Sequence, residues 1–393
     1  MTEYNFDEVI DRSGHHSAKW GAVDAGCLPM WVADMDFRSP PSAISAMIER
    51  AEHGVFGYTL DPPKLKDVIV ERMSRLYDWE ISPDDVLFSP GMVLALSAVC
   101  RGFGKPGDAV LIQTPVYGSF FKAVTNNQKF TYNLDMTYVA DGAHHFHYEC
   151  DYEAFEMAAR EAQTSIHLQC NPQNPAGFIY PRHELERIGE ICLENNVLIV
   201  ADEIHSDLIL EGKHIPIATL SDEIAQHTLT MIAPSKTFNL AGMACSVLIA
   251  QNKDIRKTMA AALQSISAHV NIMGYEAAYG AYSGGEEWLR QLLLYLKDNR
   301  DYAIKFIREH MPQVKTTIPQ STYLLWLDMR DLPIEGDAAA FCIERAAVAP
   351  TGGSFFGSAG QGFVRLNFGC PRSVLEDGLQ RLKVAVDSLA VSV

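Results

Sequence analysis

From about residue 85 onward, short apolar runs alternate with segments patterned for helix, and this alternation restricts the fold more than any other feature. The strand candidates are residues 109–113, 165–170, 197–201, 229–232 and 245–250. Helix candidates between them include 93–101, 152–162 and 182–195. Within 152–162 the apolar residues stand at 152, 155, 158 and 159, the spacing of one helical face. Strands that read as unbroken apolar runs need cover on both faces, and helices packed on either side of a mostly parallel sheet supply it. After residue 285 the texture changes. One long helical pattern over 286–311 carries Trp288, Leu292, Tyr295 and Leu296 on a face. Strand candidates at 323–327 and 362–366 and a closing helix at 373–389 come after it. The expectation is an α/β chain with a large domain over 45–285 and a smaller α+β domain made from 1–44 and 286–393.

Composition narrows the partners. A formal net charge of −17 argues against nucleic acid or an anionic membrane surface, which demand clustered Lys and Arg. A locally positive site for a small anion stays compatible with it. The first ten residues are polar and acidic rather than a secretory signal, and apolar stretches such as 197–201 are far too short to span a bilayer. Eight cysteines lie scattered from Cys27 to Cys370 with no Cys-x-x-Cys pair, so they read as reduced, mostly buried thiols. The expected location is the cytoplasm.

In doubly wound sheets, ligands sit outside the carboxyl ends of the strands. The residues just past each strand therefore locate a site. After 165–170 comes Asn171-Pro172-Gln173-Asn174-Pro175-Ala176-Gly177; after 197–201, Asp202-Glu203-Ile204-His205; after 229–232, Pro234-Ser235-Lys236-Thr237. Taken singly, each has a plain alternative: a solvated lysine, a helix-capping carboxylate, an Asn-Pro turn. Their joint appearance at three successive strand ends points to a site that needs an amide, a carboxylate and an amine together. Pyridoxal phosphate has those needs, since its aldehyde takes an amine, its pyridine nitrogen a carboxylate and its phenolate oxygen a donor. Its phosphate needs backbone N–H groups at a helix start. Ser89-Pro90-Gly91-Met92-Val93 offers such a turn, which would equally suit a plain core helix.

Further motifs sharpen this. Lys19-Trp20, Met30-Trp31-Val32-Ala33-Asp34-Met35-Asp36-Phe37, Phe56-Gly57-Tyr58 and Thr114-Pro115-Val116-Tyr117 occur in order. The segments 170–177, 201–208 and 235–242 complete the series. With this ordered set the chain resembles, over nearly all its length, the fold-type I pyridoxal-phosphate enzymes of the class I/II aminotransferase superfamily. Within them it is most similar to the MalY/PatB group of cystathionine β-lyases, the C–S lyases. The resemblance implies a large domain around a mostly parallel seven-stranded sheet, a homodimer with shared sites, and α,β-elimination from L-cystathionine or related L-cysteine S-conjugates to a thiol, pyruvate and ammonia.

It also implies roles. Lys236 would hold the cofactor's aldehyde and move protons, Asp202 would pair with the pyridine nitrogen, and Tyr117 would stack on the ring. Asn174 would donate to the phenolate oxygen, with His205 beside it where many relatives carry Tyr. Gly91, Met92 and Ser235 would hold the phosphate, joined by Tyr58 from the neighbouring subunit. Arg365, in Phe363-Val364-Arg365-Leu366-Asn367, would fork the substrate carboxylate, with Ala33 on the substrate side. One departure favours the lyase group: where many transaminases place a phosphate-binding Arg eight residues after the lysine, position 244 is Ala. The competing readings are an aminotransferase on the same fold and, lower, a cofactor-binding regulatory protein that acts by protein contact. His144-His145-Phe146-His147 reads as a solvent-facing loop, and no metal site is expected because no Cys or carboxylate spacing supports one.

Overall fold

The computed structural model describes residues 3–390. Thirteen strands matter to the site: β1 (Val86–Ser89), β2 (Ala109–Thr114), β3 (Phe130–Asp135), β4 (Thr137–Asp141), β5 (His145–Glu149), β6 (Thr164–Cys170), β7 (Leu198–Asp202), β8 (Thr228–Ile232), β9 (Ser246–Ile249), β10 (Lys315–Thr316), β11 (Leu324–Asp328), β12 (Thr351–Gly352) and β13 (Phe363–Asn367).

Seven of them form one sheet in the order β1-β9-β8-β7-β6-β2-β3, parallel except for β9, which runs antiparallel to both its neighbours. Every residue of β2, β7, β8 and β9 is buried. That double-sided burial is why these strands are continuous apolar runs in sequence rather than alternating ones. The helix Met92–Gly102 packs with β2, β6 and β7 in one apolar cluster, and Arg182–Glu194 packs with other residues of β2 and β7 in a second.

A second sheet of six strands has the order β12-β13-β11-β10-β5-β4. Its outer two strands are a hairpin from the middle of the chain, with Thr316 of β10 aligned in parallel to His145 of β5. The segment His144–His147 is thus largely strand and not the loop expected from its histidines. His147 bridges Asp141 at 2.7 Å and Glu149 at 3.3 Å on the exposed face of the hairpin, while Phe146 is buried against Trp326-bearing β11 and Phe363. Alternation of a buried Phe with outward histidines is the period of a half-buried strand.

The long helix Glu286–His310 opens with Glu286 and Glu287 and closes with Arg308 and His310, each sign opposing the helix dipole at its end. Trp288, Leu292, Leu296, Ala303 and Ile307 form its buried face. Phe6 of the N-terminal segment docks there, ring to ring with Trp288, Phe37 and Tyr295. None of the described helices is long and apolar enough to cross a membrane.

Candidate active site

The carboxyl ends of β1, β2, β6, β7 and β8 open on one cavity of about 420 Å³. Lys236, Ser235, Asp202, His205, Asn174, Tyr117, Gly91, Met92, Ala33 and Arg365 all line it. Tyr58 does not; it lies fully exposed in a segment, 51–61, whose every residue is exposed.

Each side chain is held by the element that carries it. Lys236 sits in the single helical turn Pro234–Thr237 just after β8. Its neighbour Thr237 donates to Asp207 at 3.0 Å, and Asp207 pairs with buried Arg72 at 2.5 Å, which ties the turn down beside the amine. Lys236 Nζ donates to the Ala33 carbonyl at 2.6 Å. Burial, then the positive charge of Arg365, push its pKa down to about 8. Asp202 ends β7. Burial lifts its carboxyl to about 7 against the opposing effects of the Ile204 N–H, at 3.2 Å, and of Lys236. The adjacent Glu203 takes no part in the cavity lining: it accepts from the Ile217 N–H and pairs with buried His214 at 2.8 Å. Two successive carboxylates are thereby sorted into one for the site and one for the scaffold.

Arg365 comes from β13 and is buried. One terminal nitrogen donates to Asn174 Oδ1 at 2.9 Å, the other to the Trp31 carbonyl at 2.8 Å, and the guanidinium lies 4.9 Å over the Phe356 ring. Burial draws its pKa down to about 10. Because Asn174 accepts through its oxygen, its amide NH₂ remains to donate. Gly91 caps the helix Met92–Gly102 at φ 107°, a left-handed conformation that glycine adopts without strain, and the helix start carries no side-chain cap.

A strap from Trp31 to Phe37 crosses the cavity wall. Its carbonyls are met one after another: Trp31 by Arg365 and Thr351, Val32 and Asp34 by Asn367, Ala33 by Lys236 and Tyr323, Met35 and Phe37 by Asn239. Behind it, Lys19, Arg12 and the Trp20 indole converge on Asp36 at 2.6, 2.6 and 3.0 Å. The Lys19-Trp20 and Asp34–Asp36 motifs thus anchor the strap.

Further cavity residues that sequence reasoning did not single out are Trp31, Val32, Thr351 and Phe355, with Val93, Leu96, Cys170, Ile204 and Ala241. Trp31 stood inside a quoted motif without a role. Thr351 and Phe355 lie in the glycine-rich stretch 351–362, whose signal was a paired Phe355-Phe356 flanked by glycines. Two polar atoms here are buried without any protein partner: His205 Nδ1 and Arg365 Nε. Buried donors and acceptors normally find partners, so these mark a site shaped for a polar ligand. A buried carboxylate, a lysine amine with depressed pKa, an amide with a free NH₂ and an uncapped helix start fit pyridoxal phosphate group by group.

The comparisons agree. The family model for aminotransferase class I and II matches residues 27–382. The chain belongs to that family. Cystathionine beta-lyase PatB of Bacillus subtilis is 39% identical, with 97% of this chain and all of PatB covered. Protein MalY of Escherichia coli is 33% identical over 98% of this chain and 99% of its own. Among solved structures, cystalysin from Treponema denticola, which contains a pyridoxal 5'-phosphate cofactor, matches with a TM-score of 0.93 and 32% identity, covering 99% of this chain and all of cystalysin. As a family member this chain has the fold-type I architecture expected of its sequence.

Proposed function

We propose that this protein is a pyridoxal-phosphate-dependent carbon–sulfur β-lyase that eliminates a thiol from L-cystathionine or a related L-cysteine S-conjugate. The observation that carries the reading is the meeting of Lys236, Asp202 and Arg365 in one cavity of a chain similar end to end to a cystathionine beta-lyase. Bound pyridoxal phosphate supplies an aldehyde for the substrate's amine and a ring that withdraws electrons from Cα.

The residues of the chain do the rest. Asp202, buried in the cavity lining, would be the carboxylate partner of the ring nitrogen and keep it protonated. Tyr117 would stack on the ring, Asn174 and His205 would serve its oxygen, and Gly91, Met92 and Ser235 would offer N–H and hydroxyl donors to the phosphate. Arg365 takes the substrate carboxylate as a planar fork, with the Ala33 backbone on the substrate side. Lys236, with a pKa near 8, is partly neutral at physiological pH and removes the proton from Cα. The Cβ–S bond then breaks, the sulfur leaves as a thiol with a proton returned by Lys236, and the three-carbon remainder takes up water to give pyruvate and ammonia.

The same reading makes the large unit residues 45–285 and the small one 1–44 with 286–393, and it pairs two chains so that Tyr58 reaches the partner's phosphate. Eight cysteines left as free thiols support a reducing, cytoplasmic setting. The test is pyruvate release from L-cystathionine by the cofactor-loaded protein, with Lys236→Ala alongside. Turnover in the wild type and essentially none in the variant is expected. No pyruvate, with a donor's amino group recovered on an added 2-oxo acid, would replace elimination by amino-group transfer on the same residues.

A further inference from the structure

Arg365 is already engaged before any substrate carboxylate arrives, and the register of the second sheet shows by what. Strands β12 and β13 run antiparallel with Thr351 directly opposite Arg365 and Gly352 opposite Val364. Paired residues share a face of the sheet, and Thr351 and Arg365 both line the cavity. Gly352 turns the other way, toward the helix Ala338–Ala346, where a Cβ would sit 3.4 Å from that of Ala339. The Thr351 hydroxyl donates to the Trp31 carbonyl at 2.9 Å. Arg365 Nη2 donates to the same carbonyl at 2.8 Å and to the Thr351 oxygen at 3.3 Å. Guanidinium, hydroxyl and strap carbonyl thus close a triangle. All its bonds are made within one chain and need no partner.

A guanidinium has five N–H groups, and three of those on Arg365 are committed, one to Asn174 and two within the triangle. Both forks that a guanidinium can offer a carboxylate, end-on or beside Nε, use Nη2. A bound substrate carboxylate therefore draws Nη2 away from Trp31, from Thr351 or from both. A carbonyl stripped of its donor inside a filled site costs free energy. The Thr351 hydroxyl stays on the Trp31 carbonyl when Nη2 leaves, so the strap keeps an anchor beside the substrate. Resting on the assignment of the substrate carboxylate to Arg365 in the lyase reading, we propose that Thr351 is a positioning residue for that carboxylate. It holds the Trp31 carbonyl so that Arg365 can turn its fork to the substrate.

The test separates the hydroxyl from the shape of the side chain. Thr351→Val keeps the branched shape that suits a strand and removes the hydroxyl, whereas Thr351→Ser keeps the hydroxyl. Binding to the cofactor-loaded protein is read from the cofactor's absorbance with two probes. One is L-methionine, whose sulfur stands one carbon too far out for β-elimination; the other is 3-(methylthio)propylamine, the same molecule without its carboxylate. Thr351→Val should bind L-methionine about tenfold more weakly than the wild type does, and the amine equally well. Thr351→Ser should stay within about threefold of the wild type for both probes. In pyruvate release from L-cystathionine, Thr351→Val should raise KM about tenfold and change kcat by less than about threefold. Unchanged L-methionine binding in Thr351→Val overturns the inference, as does an equal loss for acid and amine. Arg365→Lys keeps that failure distinct from failure of the assignment beneath it. If Arg365→Lys also leaves L-methionine binding unchanged, the carboxylate is bound elsewhere and both fall. No pyruvate, with the acid-selective loss intact, removes elimination and upholds the role of Thr351.

Discussion

At the scale of single residues, the site is a set of side chains whose ordinary charges are made expensive by burial and then used. Lys236 and Asp202 illustrate the two directions, with the amine drawn down to about 8 and the carboxyl lifted to about 7. The amine can attack the cofactor's aldehyde only when neutral, and its neutral fraction grows as pH rises toward its pKa. Uptake of pyridoxal phosphate by the apoprotein should therefore quicken about tenfold per pH unit below 8 and level off above it. Under the proposed role of Asp202, its ionisation above about 7 would favour a protonated ring nitrogen, in the same direction. Absorbance-detected mixing across pH 6 to 10 checks this (a range spanning roughly two units either side of the lysine). A rate that keeps climbing to pH 10 would mean that Lys236 titrates like a solvated lysine.

At the scale of elements, the strap Trp31–Phe37 is neither helix nor sheet, yet nearly all its carbonyls are satisfied by side chains from distant parts of the chain. Asn239 alone makes three bonds to the strap, donating to the Met35 and Phe37 carbonyls and accepting from the Met35 N–H. It also sits at φ 56°, a left-handed conformation that Asn tolerates better than Ala. Replacing it with Ala should cost about 3 kcal/mol in a urea unfolding titration, and a loss below about 1 kcal/mol would show the strap to be held elsewhere. The sequence announced the strap as a motif but not its geometry, because side-chain-to-backbone bonds across two hundred residues leave no periodicity. The same reason explains which elements were legible. Strands β2, β6, β7 and β8 are buried on both faces, so their apolar runs stood out, and the chemistry at their ends could be read directly. In hairpin β4–β5 only Phe146 and Tyr148 are buried, and three histidines and two acids crowd its turn and second strand, so the segment His144–His147 read as loop. Phe355 escaped notice because a glycine-rich turn has no periodicity, and its one signal was the paired Phe355-Phe356.

At the scale of the whole molecule, one chain leaves a feature that its own cavity does not use. Val55, Phe56, Tyr58 and Leu60 are all more than half exposed, an apolar run of the kind a partner surface covers. If two chains pair so that each lends Tyr58 to the other, damage to Tyr58 and damage to Lys236 fall on different sites of a hybrid. A Tyr58→Ala chain and a Lys236→Ala chain, each nearly inactive alone, would form hybrids by unfolding and refolding together. In a hybrid, one site then carries both substitutions and the other carries neither. Random pairing makes about half the dimers hybrid, so an equal mixture should regain about a quarter of wild-type pyruvate release. Sedimentation should report a dimer throughout. Were Tyr58 to serve the site of its own chain, every site in the mixture would keep one lesion, and no activity would return.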